Sequence, residues 1–441
     1  MKRTMVVFTS LFFNKFGNQS FFETIKNYSN FFERIVIITS YNDDSYFFYE
    51  NEITEPFLDK ITIYRTYNYI KYIYLIFKSH FTKNKENDDK IYDKRELKNA
   101  NYDLLSIFYY HLTNTIKSLI FLMLHLTGKI RGIDLICSYE IGGVSSGLFA
   151  SHLLSRKIKL VAKMQGTVLY PILEKHEEKR IKNYLDHHAY KKLPKYDYIT
   201  MTNDGTKGDK VLKLYRVPDS KIIFITNGLS ESIINKKLEI SNTYQSNSNN
   251  KIKLMNLSRL IPWKRVDLSI EIANILTNEF GFQDYEIDIY GAGSDFEYRK
   301  LNERIGECHL ENNVYVCGPV PFASVSDIIL DHDFLISLYL FTNIANPLLE
   351  AAYLGIGIIS ITSDDLLEIL DSTKDNIALF EETTESDLCR QIAIYIRDMN
   401  FEKMRRYKTA SIIEKTCSHK LFSWNERCQK EISIIFNQWS K

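Results

Sequence analysis

The chain is 441 residues long and sets 56 Lys and Arg against 55 Asp and Glu, a formal net charge of +1. At about 150 residues per domain, that length predicts two or three cores. The even charge excludes the basic footprint of a duplex-binding protein, so no nucleic-acid partner is expected. Six cysteines (Cys137, Cys308, Cys317, Cys389, Cys417, Cys428) form no CxxC pair and match no histidine spacing, which argues against a disulfide framework and a structural zinc and fits a reducing cytosol.

The N-terminal MKRTMVVFTSLFFNKFGNQS has a short apolar run broken by Thr and Ser and no small-residue cleavage site, so it predicts a buried first strand rather than a signal peptide. Gly17, Asn18 and Gln19 follow between that strand and a helix, at the carboxyl edge of a parallel sheet where ligands lie. Gly17 either admits a ligand close to the backbone or serves a tight turn. The runs RIVIITS, KITIYRT, DLICS, KLVAKM, YDYITM and KIIFIT alternate with helical patterns, which predicts a mainly parallel sheet covered on both faces.

One interval breaks the rhythm. Residues 67–130 are rich in aromatics and lysine, pass through KENDDKIYDKRELKNAN, and end in LLSIFYYHLTNTIKSLIFLMLHLTGKI. His111, Lys117 and His125 argue against a membrane span. The last piece reads as a long helix packed on the sheet, or as an amphipathic surface resting on a membrane. LSESIINKKLEISNTYQSNSNN then reads as a linker or loop. A second alternating series, KIKLMNLS, YEIDIYG, VYVCG, FLISLYL and GIGIISI, predicts a second doubly wound α/β domain.

Chemistry concentrates in that second series. In NLSRLIPWKRVDLSIEIANIL, Arg259 and Lys264 follow a strand and precede a helix, where two cations suit a diphosphate. Gly291 and Gly293 sit directly after YEIDIY, but the third glycine of a dinucleotide fingerprint is missing. In FTNIANPLLEAAYLGIGIIS, Pro347 opens a helix whose N-terminal amides form an anion site. Glu350 lies one turn in, placed to accept hydrogen bonds from sugar hydroxyls, or else to pair with a base of its own domain. The single D-x-D, Asp331-His332-Asp333, reads as the end of a helix and the start of a buried strand, so no metal site is expected.

RLIPWKRVDLSIEIA, IYGAGSDFEYRKL, FTNIANPLLEAAYLGIGIIS, VPDSKIIFITNGLSES and FSWNERCQKEISIIF together resemble the retaining glycosyltransferases of family 4. The resemblance implies a GT-B fold of two Rossmann-like, doubly wound parallel-sheet domains facing a cleft. Residues 1–228 would form the acceptor-side domain, 229–424 the nucleotide-sugar domain, and 425–441 a helix crossing back to the first. It also implies that Arg259 and Lys264 hold the diphosphate and Glu350 the ribose. Gly17, Asn18, Gly291, Thr342, Asn343, Asn346 and Leu349 complete the donor site. Family members often carry an earlier glutamate in an E-x7-E pattern with the LLEA motif's own, eight residues before it, and that place holds Thr342. Where they often carry a His-Gly, this chain has Gln165, Gly166 and Thr167, so Gln165 joins Lys264 and Arg259 as a catalytic candidate.

The expected activity is retaining, metal-independent and free of cofactors. It moves a sugar, by resemblance a hexose, from a nucleotide sugar to the hydroxyl of a glycan or glycolipid, in the cytoplasm or at the inner face of a membrane. The alternatives are a sugar nucleotide epimerase of the same fold and a sugar-nucleotide-binding scaffold without turnover.

Overall fold

The computed structural model describes residues 3–11, 19–40, 56–66, 104–154, 158–174, 181–182, 184–240, 251–341, 344–370, 377–399, 408 and 421–436. The chain divides into two compact units, Met1–Asn227 with Trp424–Lys441, and Gly228–Ser423.

The first unit is a seven-stranded sheet in the order β3-β2-β1-β4-β5-β6-β7. Its strands are β1 (Thr4–Thr9), β2 (Arg34–Thr39), β3 (Ile61–Arg65), β4 (Ile133–Tyr139), β5 (Lys159–Met164), β6 (Tyr198–Thr202) and β7 (Ile222–Ile225). Every pairing is parallel. Helices cover both faces, so β1 is buried at all six positions, and its sequence is apolar from Met5 to Phe8 between two buried threonines. The helices are α1 (Gln19–Tyr28), α2 (Leu104–Leu126), α3 (Ile141–Leu153), α4 (Tyr170–Glu174), α5 (Leu185–Tyr190) and α6 (Gly208–Leu214).

From β1 the chain moves outward to β2 and β3, then returns to β4 on the other side. That makes the β1/β4 edge the topological switch point, where ligands of open α/β sheets lie. The first turn of α3 is pressed against the end of β1, because a Cβ at Gly143 would collide with the Phe8 carbonyl. From α2, the buried Lys117 ammonium donates to the Thr9 carbonyl at 3.2 Å, the Ser10 hydroxyl at 3.1 Å and the Gly142 carbonyl. Burial alone pushes that amine down to about 7.

The helix that ends the aromatic interval packs on the sheet as α2. Phe121 and Leu124 join the core with Val6, Phe8 and Val36, while Phe108, Leu119, Met123 and Leu126 are exposed. Leu119, Met123 and Leu126, three to four residues apart, form an apolar stripe along the outer side of the C-terminal half of α2, and exposed His111 and Thr115 separate them from Phe108. The stretch 67–103 lies outside the described residues.

The C-terminal helix, Trp424–Phe436, belongs to this unit. Trp424, Cys428, Ile432 and Ile435 pack with Val7, Phe21, Tyr28 and Ile37. Polar contacts reinforce the packing. Glu431 accepts from the Tyr28 hydroxyl at 2.7 Å and pairs with Lys163 of β5 and, at 3.2 Å, with Arg427. Arg427 also donates to Thr202 Oγ1 at 3.1 Å and to Asn227.

The second unit is a six-stranded sheet in the order β10-β9-β8-β11-β12-β13. Its strands are β8 (Ile252–Leu257), β9 (Tyr285–Tyr290), β10 (Val314–Gly318), β11 (Phe334–Ser337), β12 (Gly357–Ile361) and β13 (Ile377–Phe380), all pairing in parallel. Its helices are α7 (Glu231–Ile240), α8 (Asp267–Asn274), α9 (Asp295–Glu307), α10 (Val325–Asp331), α11 (Asn346–Leu354), α12 (Asp364–Ile369) and α13 (Glu385–Arg397).

Two elements differ from expectation. The stretch read as linker begins as α7, because Ile233 is buried among Leu229, Leu348 and Leu354 and the stem of Lys237 is buried as well, its amine donating to the Leu354 carbonyl at 3.3 Å. The edge strand β13 was not foreseen, since IALF is only four residues long.

Candidate active site

In the second unit the switch point lies between β8 and β11. The loops leaving β8 and β9 are in backbone contact there. Ser258 donates to the Tyr290 carbonyl at 3.0 Å and Leu260 to the Ala292 carbonyl at 2.9 Å. Gly291 has φ +152°, and a Cβ there would overlap the Ser258 carbonyl, so only glycine fits.

Arg259 then stands exposed at the carboxyl edge. Pro262–Lys264 form one 3-10 turn, ended by Arg265 in the left-handed conformation at φ +51°. Leu340, beyond β11, donates to the Trp263 carbonyl at 3.0 Å, fixing that turn to the neighbouring strand end. The half-buried Lys264 amine lies 3.7 Å from the centre of the Tyr339 ring, whose hydroxyl donates to the Leu257 carbonyl at 3.1 Å. The ring face attracts the ammonium electrostatically.

Helix α11 starts at the same edge, because it follows β11. Pro347 occupies its first turn and Gly355 closes it at φ +95°. Glu350 is 5% exposed. Asn346 is the first helical residue and half-buried. Leu349 packs in the core with Met255, Leu257 and Ile358, so its side chain does not line a site and only its backbone can meet a ligand. Thr342 and Asn343 lie outside the described residues. Arg259, Lys264 and Gly291 thus share one sheet edge, with Asn346 and Glu350 on the helix that leaves it.

Two further residues escaped the sequence reading. Arg265 is buried, and its guanidinium pairs with Glu382 and, at 3.5 Å, with Glu385. Tyr339 follows a strand run and carried no polar signal of its own.

In the first unit, Gln165 follows β5. Its backbone N–H donates to Glu140 Oε1 at 2.6 Å and its side-chain amide to the Tyr139 hydroxyl at 2.6 Å. Glu140 ends β4 at φ +59°, a costly conformation for a residue with a Cβ. Burial, with Asp186 and Asp204 adding to it, pushes its carboxyl up to about 8 against the opposing effect of the Gln165 amide. Burial also lifts Asp186 to about 6. Gly17 and Asn18 lie outside the described residues.

His187 and His188 are half-buried on α5. His187 Nδ1 lies 2.6 Å from the Tyr215 hydroxyl, and burial lowers that imidazole to about 4. The D-x-D residues are engaged within the fold. Asp331 ends α10 and pairs with Lys253 at 2.8 Å, His332 Nε2 is 3.1 Å from Asp288, and Asp333 pairs with Lys408 at 3.1 Å.

Residues 239–412 match the family model described as Glycosyl transferases group 1. The GPI3 subunit of phosphatidylinositol N-acetylglucosaminyltransferase from Saccharomyces cerevisiae is 22% identical over 245 residues, covering 56% of this chain and 52% of that protein. The chain thus spans about half the length of the curated relatives it matches. Among solved structures, Anabaena HepE in complex with UDP and glucose superposes with a TM-score of 0.61 at 12% identity, covering 97% of this chain and 99% of that one. A glycosyltransferase from Rickettsia africae gives 0.60 at 14% identity, covering 99% and 98%. The fold is that of the GT-B glycosyltransferases, and residues 239–412, which carry Arg259, Lys264 and Glu350, bear the group 1 signature.

Proposed function

We propose that this protein is a retaining, metal-independent glycosyltransferase of family 4 that transfers a hexose from a nucleotide diphosphate sugar to a glycan or glycolipid hydroxyl. The observation that carries this reading is the pair Arg259 and Lys264 at the β8/β11 edge, with Lys264 held over the Tyr339 ring. Both cations face the diphosphate and Glu350 accepts hydrogen bonds from the ribose. The bond from anomeric carbon to phosphate oxygen breaks and the bond to the acceptor oxygen forms on the same face. The acceptor proton passes to the departing phosphate. Negative charge grows on that phosphate, and Arg259 and Lys264 stabilise it without a cofactor or a metal. On the acceptor side, Gln165 is held by Tyr139 and Glu140 at the end of β5.

The apolar outer stripe of α2 favours an acceptor presented at the cytoplasmic face of a membrane, where exposed Lys129 and Arg131 just beyond the helix meet anionic headgroups. The yeast relative is named a subunit of phosphatidylinositol N-acetylglucosaminyltransferase, which points the same way.

Incubation with a panel of UDP-sugars, without acceptor, tests the reading: slow release of UDP and free sugar is expected from one of them. Lys264→Ala should lower that turnover about a hundredfold or more. Glu350→Gln should weaken UDP binding by about 1 to 3 kcal/mol. Wild-type behaviour in both variants would place the donor elsewhere, and release of an epimerised sugar nucleotide would replace transfer by epimerisation. Binding without turnover for every donor would make the protein a scaffold.

A further inference from the structure

Lys264 and Arg259 stand on a loop that a third cation anchors. Arg265 adopts a left-handed backbone at φ +51°, a conformation that costs an L-residue about 1 to 2 kcal/mol and that glycine takes freely. A backbone requirement alone would therefore favour glycine at this position. What glycine cannot supply is the side chain. The guanidinium runs inward, fully buried, and grips Glu382 by two nitrogens, one at 3.0 Å, with Glu385 at 3.5 Å. Glu382 follows β13 and Glu385 opens α13, so the pair ties the loop after β8 to the loop after β13, on the far side of β11 and β12.

The charge is also accounted for. Two carboxylates neutralise Arg265, so it adds no repulsion to Lys264 and Arg259, and its fork geometry fixes direction as well as distance. The Arg265 amide donates to the Pro262 carbonyl at 3.1 Å and the Leu268 amide to the Arg265 carbonyl at 3.1 Å, so the residue joins the 3-10 turn that carries Lys264 to helix α8. A shift at Arg265 therefore moves Lys264 relative to the Tyr339 ring.

We propose that Arg265, clamped by Glu382 and Glu385, is a positioning residue for the diphosphate seat, holding the turn that presents Lys264. The inference rests on the assignment of Lys264 to the donor diphosphate.

The test compares UDP with UMP by calorimetry in Arg265→Gly, Glu382→Gln and Lys264→Ala. UMP lacks the second phosphate, so general damage to the unit weakens both ligands, whereas a misplaced Lys264 weakens UDP selectively. Arg265→Gly keeps the left-handed backbone and deletes only the clamp. Its UDP affinity should fall about tenfold, the scale of one charge-assisted contact, with UMP changed by less than about twofold. Glu382→Gln, made on the other element at a partly exposed site, should give the same selective loss, and it decides the matter if Arg265→Gly does not fold. In steady state the two variants should lower kcat with a UDP-sugar more than they raise KM. Wild-type UDP affinity in either clamp variant, or equal losses for UDP and UMP, overturns the positioning role. Lys264→Ala separates the two levels. If it leaves UDP binding and turnover unchanged, the diphosphate assignment fails. If it lowers them while the clamp variants do not, only the clamp fails.

Discussion

Lys163 on β5 and Glu431 on the C-terminal helix form an ion pair sealed from solvent, their side chains 1% and 0% exposed. Burial by itself would raise the Glu431 carboxyl, yet Lys163 and Arg427 beside it hold it below the usual carboxylate range. Glu431→Gln leaves two buried cations without their counter-charge and should cost about 3 to 5 kcal/mol in the unfolding of the first unit, read by urea titration. Replacing Lys163 by Met, Arg427 by Met and Glu431 by Leu together removes every charge and should recover at least half of that loss. Because the folded pKa is depressed, the pair's stabilisation is complete above the ordinary carboxylate pKa and disappears as pH falls through the lowered value. The acid-induced decline should therefore be shallower in Glu431→Gln.

Glu140 has the opposite sign. Its carboxyl ionises at about 8 in the fold against a usual 4.5, so its contribution is fully present below pH 4.5 and is lost as pH rises to about 8. The stability of Glu140→Gln relative to the native chain should rise across that window and level off above it. Lys117, lowered from 10.5 to about 7, contributes a stability gain between those values, which stays the same in both proteins and cancels in the comparison. Thermal melts at pH 5, 7 and 9 check the trend, and a flat difference would show that Glu140 ionises normally.

Two glycines with positive φ separate strain from collision. Gly281 has φ +65° and nothing within 4 Å of a would-be Cβ, so Gly281→Ala should cost only about 1 to 2 kcal/mol of backbone strain. Gly291→Ala adds a clash with the Ser258 carbonyl between the loops leaving β8 and β9 and should cost more than about 4 kcal/mol or prevent folding. Denaturant midpoints of the two variants, side by side, measure the difference.

The outer stripe of α2 makes a prediction that leaves the fold intact. Leu119 and Met123 are 56% and 55% exposed, so Leu119→Glu and Met123→Glu should change stability by less than about 0.5 kcal/mol. Flotation with vesicles containing phosphatidylserine should show binding of the native chain at low salt, weaker binding at high salt, and little in the double variant. Absence of binding by the native chain would remove the membrane from the proposed function.

Much of the fold was legible because parallel strands covered on both faces are predominantly apolar: MVVFTS, RIVIITS and KIKLMNLS carry that requirement in most of their residues. The places of Arg259, Lys264 and Glu350 in the second unit were legible for a related reason. A cation just past a strand, or a carboxylate one turn into a helix opened by proline, has its position set by a few neighbouring residues. Misreadings arose where local composition and tertiary burial disagreed. The Ser and Asn around α7 suggested a loop, and only packing of Ile233 against α11 favours a helix there. What no local pattern contains is the partner of a buried charge. Arg265 meets Glu382 across 117 residues, and Lys163 meets Glu431 across 268. Sequence spacing sets neither meeting. Both follow from the order in which parallel strands return to the sheet, and burial makes each partner obligatory, since a charge taken out of water is tolerated only where the fold has brought its counter-charge to it.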